Sequence, residues 1–315
     1  MKIHAIVDYS FLYYKYLFQM RSGRMRKLTT PVELNGVTVE KDMSIIYYSI
    51  KEIEGFRRKL EDYGHEAIVS VCFDMPSMRT EVDEDATESE KEAASNYKAN
   101  RVKTLGEDDY KDIQLVERIL SAAGHNTYRI EGYEADDIIA HLTKNYADDF
   151  DYTIMYTPDA DLLANINNKV GASRFKTSRG YQSVDISNFT EYLSEEWKCR
   201  IPYNSVMLFK CTVGDRSDGI AGILRFGPKA FDKLVDYLDN LGVNWEECGT
   251  YEKTLETLEL CRGYLTEDQM VQALDSLSLV RPMEITKGDI TPPSKISTIE
   301  LRVGAYSKYR MLSLI

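Results

Sequence analysis

Cysteine is scarce and unpaired in this 315-residue chain: Cys72, Cys199, Cys211, Cys248 and Cys261 include no CxxC pair and are odd in number. That argues against a disulfide framework or a zinc site and predicts reduced, structural thiols. Long apolar runs are also missing. No stretch approaches the roughly 20 residues needed to span a bilayer, and the opening MKIHAIVDYSF has no apolar segment followed by a small-residue cleavage site. The expectation is a cytoplasmic protein with no membrane partner. A basic excess is the third absence: 39 Lys and Arg against 51 Asp and Glu leave a net charge of −12. This is the wrong sign for a polyanion binder, which needs a basic surface to release counterions. The objection weakens if acids are concentrated in a metal site and bases are segregated, as in Lys15 to Lys27 (KYLFQMRSGRMRK). The remaining composition, 43% hydrophobic and 29% charged, is that of a globular protein. Its length suits one large α/β domain with an appended helical region as well as it suits two domains.

Periodicity places the elements. Lys2 to Asp8 (KIHAIVD) reads as a short buried strand, and Ser44 to Tyr63 as a helix closed by Gly64. Ala67 to Asp74 (AIVSVCFD) is a second strand, and Asp109 to Ala123 an amphipathic helix ended by Gly124. Thr127 to Ile130 is a third strand, Glu134 to Tyr146 a helix, and Tyr152 to Tyr156 a fourth strand before PDADLL. Strands alternating with helices predict an α/β fold with a mostly parallel central sheet flanked by helices, and such sheets bind ligands outside the carboxyl ends of their strands. Ser173 to Asp185 (SRFKTSRGYQSVD) reads as a β-hairpin with Ser178, Arg179 and Gly180 at its turn. The chain then becomes helical, with GDRSDGIAGILRFGPKAF (Gly214 to Phe231) between helices. Met75 to Thr104 contains the acidic run EVDEDATESEKE, lacks an apolar face long enough to pack, and reads as an excursion between strand and helix. From Thr286 the chain is interrupted by TPPSK and ends SKYRMLSLI, which fits either an element docked on the core or an apolar-basic tail that binds a partner.

The acids stand at telling places. Asp8, Asp74 and Asp159 each fall at or just past the C-terminal end of an expected strand, so residues distant in sequence converge on one rim. EADD opens a helix, where Glu134 and Asp137 share a face and Asp136 points sideways, and the helix dipole there favours ionised carboxylates. PDAD adds Asp161 beside Asp159, and GDRSDG adds Asp215 and Asp218 between glycines that let backbone approach a ligand. Singly, each motif is equally a capped surface helix, a plain turn or an Asx-type turn. Together the acids repel one another unless cations neutralise them, and cations with oxygen-only ligands are Mg²⁺ or Mn²⁺. Two such ions about 4 Å apart bind a scissile phosphate, generate hydroxide and stabilise the departing alkoxide, which is phosphodiester hydrolysis. In NYKANR, Lys98 and Arg101 are three apart and would share a helix face beside such a phosphate.

The order VD, FD, YKxxR, EADD, DAD, GDxSDG resembles the flap endonuclease and 5′-3′ exonuclease family, which includes the 5′-nuclease domain of bacterial DNA polymerase I and stand-alone bacteriophage 5′ nucleases such as bacteriophage RNase H. The likeness covers about the first three-quarters of the chain and rests on the motifs occurring in one order. It implies a PIN-like nuclease core over 1–195 with a helical arch at about 75–105, a helix-two-turn-helix DNA-binding region over 196–285, and a C-terminal tail over 286–315. It implies a first metal near Asp8, Asp74, Glu134 and Asp136 and a second near Asp159, Asp161 and Asp218, with Asp137 and Asp215 acting partly through water. Tyr97, Lys98 and Arg101 match arch residues, the two cations polarising the phosphate and the aromatic stacking on a base. Gly222, Gly227 and Lys229 match a DNA-anchoring hairpin that binds K⁺ in the family, although ILRFG replaces the more usual V-x-G-I-G type of run and loses a glycine. Tyr14 to Lys27 corresponds in order to a segment contacting duplex DNA near the branch.

The activity so implied is structure-specific 5′ nuclease action on branched or flapped DNA and on RNA-primed DNA. It would serve replication in a bacterial or phage-infected cell, by a monomer working beside a DNA polymerase or single-strand-binding protein. An RNase H-type hydrolase of RNA-DNA hybrids is the rival with the same chemistry, and a non-catalytic junction binder the rival from another class. A haloacid-dehalogenase-type phosphatase would need DxD on the first strand, which instead ends VDYS.

Overall fold

A computed structural model describes residues 1–34, 37–78, 91, 95, 97–98, 105–176, 180–286, 288 and 290–315. Arg101, Ser178, Arg179 and most of the expected arch lie outside the described residues. The first strand, β1 (Lys2–Asp8), is followed by α1 (Tyr9–Arg21), a hairpin β2 (Thr29–Leu34) and β3 (Val37–Asp42), and α2 (Ser44–Asp62). Next come β4 (Glu66–Cys72), α3 (Glu107–Ala122), β5 (Asn126–Tyr128), α4 (Ala135–Tyr146), β6 (Tyr152–Thr157), β7 (Val170–Lys176) and β8 (Gly180–Val184). The helical part comprises α5 (Phe189–Trp197), α6 (Val206–Val213), α7 (Pro228–Asn240), α8 (Tyr251–Leu260), α9 (Glu267–Val280) and α10 (Ile299–Ser307).

The main sheet runs β5-β4-β1-β6-β7-β8, parallel except for β8, which returns antiparallel to β7. Sheet and flanking helices give the expected α/β class. From β1 the chain first builds toward β4 and β5, then crosses to β6 on the other side, so the strand order reverses beside β1. A ligand cleft opens at such a reversal because the flanking crossover helices diverge there. Side chains of β1 alternate between two cores, as the period of a strand requires. Ile3, Ala5 and Val7 pack with α1, α2 and α3, while Ile6 packs with α4 and the later helices.

Two elements escaped the sequence reading. α1 occupies much of the stretch read only as a basic segment; YSFLYYKYLFQMR has aromatic residues on every side and little polar contrast to mark a face. The β2–β3 hairpin pairs Val32 with Val39 and Glu33 with Thr38. Its sequence signal is the Asn35-Gly36 dipeptide between two alternating runs.

The end of the chain docks on the core. Tyr306 on α10 is fully buried, and its hydroxyl donates to Glu54 on α2, a buried carboxylate that also accepts from His125 Nε2 at 2.8 Å and Arg57 Nε at 2.7 Å. Ser297 donates to the carbonyl of Ala123 and Asn126 exchanges bonds with Lys295, so the tail is stitched along the end of α3 and the start of β5.

Candidate active site

Parallel pairing in register sets Asp8 opposite Cys72, and Val7 opposite Tyr156. Asp74 stands two residues past Cys72 and Asp159 two past Thr157, so the three carboxylates leave neighbouring strands at one edge, where strands lie about 4.8 Å apart. Each is held by local bonds. Asp8 caps α1, accepting from the Phe11 amide at 3.4 Å. Asp74 accepts from the Ala135 amide at 2.7 Å, which ties the end of β4 to the start of α4. The Thr157 hydroxyl joins the group by accepting from the Asp159 amide at 3.0 Å and lying 3.5 Å from Asp8 Oδ2, while Asp159 accepts from the Asp161 amide at 2.9 Å.

The EADD motif divides its labour. Glu134 is the N-cap of α4 and Asp137 the third residue of a capping box. Asp137 is buried, and its two oxygens accept from the amides of Glu134 at 3.1 Å and Met283 at 2.8 Å. It therefore fastens the helix start, the capping use weighed for EADD in the sequence, and also the segment after α9, a partner that only the fold supplies. Glu134 faces the cleft and accepts from Tyr97 at 2.9 Å and from Lys98 Nζ at 2.6 Å. Asp136 projects into the same cleft beside Asp161 and Asp218.

Two expectations for the arch residues change. Tyr97 is buried among Ile220 and Leu279, so no ring face is open to a base in this arrangement. Lys98 lies in a turn at φ 52°, its amide donating to the Asp218 carbonyl at 2.7 Å. The helix face assumed for Lys98 and Arg101 does not exist at Lys98.

The second half of the cluster comes from the loop after α6. Asp215 and Ile220 exchange backbone bonds of 2.8 Å each, closing GDRSDG into a tight turn. Ser217 donates to Asp215 Oδ1 through its amide at 2.8 Å and its hydroxyl at 2.6 Å. Single oxygens of Asp161, Asp215 and Asp218 all lie within 4.8 Å of one another, a spacing that can hold a metal ion. Between them stands a residue the sequence reading missed: Lys210 of α6, buried, whose ammonium bonds both Asp161 and Asp215. Placed inside the apolar run VMLFKCTV, it gave no motif signal.

Gly222 has a structural reason of its own. Its φ is +64°, and a Cβ there would come within 2.4 Å of the Gly214 nitrogen; its amide donates to Ser276 at 3.1 Å. That amide is therefore not turned outward to a phosphate. Gly227 is different: it is the N-cap of α7, with open space where a Cβ would stand, and Pro228 and exposed Lys229 follow it.

Electrostatics follow from the crowding. Burial first, then Asp74 and Asp159, push Asp8 up to about 7. Burial and the charges of Asp159 and Asp8 hold Asp136 well above the carboxylate range. Burial and Asp159 raise Asp161 to about 8 in spite of Lys210. For Asp215 burial is outweighed by Lys210 and Ser217, which bring it down to about 2. Burial opposes the charge on Lys98 and Lys210, yet Tyr97, Glu134 and Asp136 around the first and Asp161, Asp159 and Asp215 around the second hold both above the ordinary lysine range. An all-oxygen, convergent and mutually repelling donor set fits a hard divalent cation.

Residues 4–194 match the family described as 5′-3′ exonuclease, N-terminal resolvase-like domain, and the chain belongs to that family. Among its relatives are the DNA polymerase I of Treponema pallidum, 30% identical over 52% of this chain and 16% of the polymerase, and that of Caldicellulosiruptor bescii, 25% identical over 74% and 25%. The thermostable DNA polymerase I of Thermus thermophilus is 26% identical over 76% of this chain and 26% of the polymerase. The chain thus spans about a quarter or less of the length of these relatives. The fold is that of the bacteriophage T5 5′-exonuclease solved with divalent zinc ions: TM-score 0.53, 16% identity, covering 99% of this chain and 95% of the other. It likewise matches the T5 flap endonuclease solved in a pseudo-enzyme-product complex with DNA and metal ions, with TM-score 0.52, 16% identity, and 99% and 93% coverage.

Proposed function

We propose that this chain is a divalent-metal-dependent, structure-specific 5′ nuclease that hydrolyses phosphodiesters in flapped or branched DNA and removes RNA primers during replication. The observation that carries the reading is the meeting of acids from three neighbouring strand ends, one helix start and one interhelical turn in one interacting cluster with two lysines. Family membership supports it, and the polymerase relatives supply the replication context.

In this reading Asp8, Asp74, Glu134 and Asp136 would hold one Mg²⁺ or Mn²⁺, and Asp159, Asp161 and Asp218 a second. Bound there, the ions would supply a hydroxide at neutral pH and stabilise the leaving alkoxide. The chain's own groups do the positioning. Asp137 fixes the start of α4 so that Glu134 and Asp136 point into the cleft. Thr157 keeps Asp159 beside Asp8. Lys98 turns from Glu134 to the non-bridging phosphate oxygens, where a fixed cation stabilises developing charge, and Arg101 supplies a second. Gly227 and Lys229, at the start of α7, contact the phosphate backbone of the duplex, which positions the substrate without reading its sequence.

The test is cleavage of a labelled 5′-flap DNA, in competition with an unlabelled RNA-DNA hybrid, with Mg²⁺ or with EDTA. Release of the flap in Mg²⁺ alone, little slowed by the hybrid, is the expected result. Cutting in EDTA, or no cutting of any branched duplex, would overturn the reading.

A further inference from the structure

Lys210 is the one buried lysine among the described residues, and it stands where a cation belongs. It projects from α6, and its ammonium bonds one oxygen each of Asp161 and Asp215. These are two of the three acids whose oxygens lie within 4.8 Å of one another. The cleft that Lys210 lines together with Asp161, Asp218, Glu134 and Asp136 has a volume of about 50 Å³, room for only a few waters. A divalent ion that keeps part of its hydration shell competes with the ammonium for Asp161 in that space, and for Asp215 in the adjoining turn.

The other half of the cluster is built differently. Among the described residues, no cation is hydrogen-bonded to Asp8, Asp74 or Asp136, and these acids repel one another across the strand ends. One half therefore has its lysine, Lys98, hydrogen-bonded to Glu134 alone, whereas the other has Lys210 shared between Asp161 and Asp215.

We infer that Lys210 is an internal counter-ion that closes the Asp161–Asp215–Asp218 group in the metal-free protein and must leave Asp161 and Asp215 before a divalent ion can use them. The inference rests on the reading of the acid cluster as a divalent-metal centre. Its consequence is ordered loading: the Asp8, Asp74 and Asp136 half fills first and tightly, and the Lys210 half fills second and weakly. Lys210 is thus a positioning residue that sets how strongly the second ion is held. Being bonded to both Asp161 and Asp215, it also keeps the strand-end segment and the α6–α7 turn together when metal is absent.

The experiment counts ions directly. Mn²⁺ is titrated into DNA-free wild type, Lys210→Met and Lys210→Arg, with free Mn²⁺ read by electron paramagnetic resonance and heat by calorimetry. Wild type is expected to bind two ions with affinities at least about tenfold apart. Lys210→Met is expected to tighten the weaker site about tenfold or more while leaving the tighter one unchanged, because the ion no longer displaces an ammonium. Lys210→Arg should behave like wild type. A weaker site that is unchanged or further weakened in Lys210→Met overturns the inference.

Should Lys210→Met not fold without metal, wild type still decides. In protein carrying ¹³C at lysine Cε, the Lys210 resonance, assigned by its loss in Lys210→Arg, is expected to shift during filling of the second site and not the first. A resonance indifferent to both ions contradicts the displacement. The two readings fail separately: two ions bound in this order with no DNA cleavage would sink the proposed function alone, whereas cleavage with an unmoved Lys210 would sink only this inference.

Discussion

Lys98 Nζ lies 2.6 Å from Oε1 of Glu134, while Tyr97 donates to the other oxygen of the same carboxylate at 2.9 Å. The pair locks the described end of the 75–105 segment onto the start of α4. An acid that belongs to the proposed metal set is thereby occupied by the cation proposed to serve the phosphate. In the proposed mechanism that bond opens before cleavage. Lys98→Met is expected to lower the single-turnover cleavage rate about 10²- to 10³-fold. Flap binding, measured by fluorescence anisotropy, should change far less. Equal loss in rate and binding would show Lys98 to be a simple phosphate anchor.

The glycines after α6 separate folding from DNA contact. Gly222→Ala forces a Cβ to within 2.4 Å of the Gly214 nitrogen at a left-handed φ. It should cost about 3 kcal/mol or more of stability, read by urea denaturation. Gly227→Ala meets open space at an ordinary φ and should leave the urea midpoint nearly unchanged. If Gly227 lets a DNA phosphate approach, its alanine variant weakens flap binding without loss of stability.

His4 gives the fold a pH dependence separate from the chemistry. It is fully buried in β1, bonded to Ser70 at 2.7 Å and stacked on Phe150 at 4.5 Å. Burial, aided by Lys2, lowers its pKa from 6.5 to about 3. The unfolded chain therefore binds a proton there that the folded chain refuses. The stability held above pH 6.5 falls by about 1.4 kcal/mol per pH unit as pH drops toward 3. His4→Gln should flatten that part of a plot of urea midpoint against pH. An unaltered slope in the variant would assign the acid sensitivity elsewhere.

How much of this was legible in the sequence depends on how local each cause is. Asp8, Asp74 and Asp159 could be placed because buried strands announce themselves as apolar runs and the acids interrupt those runs at their ends. The α4 start was legible because EADD immediately precedes a helical run, with Glu134 and Asp137 on one face. Lys210 was not, because a lysine in VMLFKCTV has meaning only once the fold brings Asp161 from the strand side to meet it. The resemblance made Tyr97 a base-stacking aromatic, and nothing adjacent in sequence shows Ile220 and Leu279 closing over it. Asp137 looked like a ligand because the partner that claims one of its oxygens, Met283, is distant in sequence.

The docked tail yields a further test. Tyr306→Phe removes a buried hydrogen bond to the ionised Glu54, whose pKa is brought down to about 2 by His125, Arg57 and Tyr306 against the effect of burial. The expected loss is about 1.5 to 3 kcal/mol in urea denaturation. Removal of residues 296–315 should destabilise the chain far more, by uncovering the apolar faces of α2 and α3. A truncated protein as stable as the full chain would return that segment to the partner-binding reading.

The most direct measurement concerns Asp159, which stands between the two halves of the acid cluster and presses on Asp8, Asp136 and Asp161 alike. Asp159→Asn keeps the shape and removes the charge. With a labelled 5′-flap DNA and saturating Mg²⁺, the variant is predicted to bind the flap as wild type does while losing most of its turnover, about 10²-fold or more. Undiminished cutting by the variant would contradict the account.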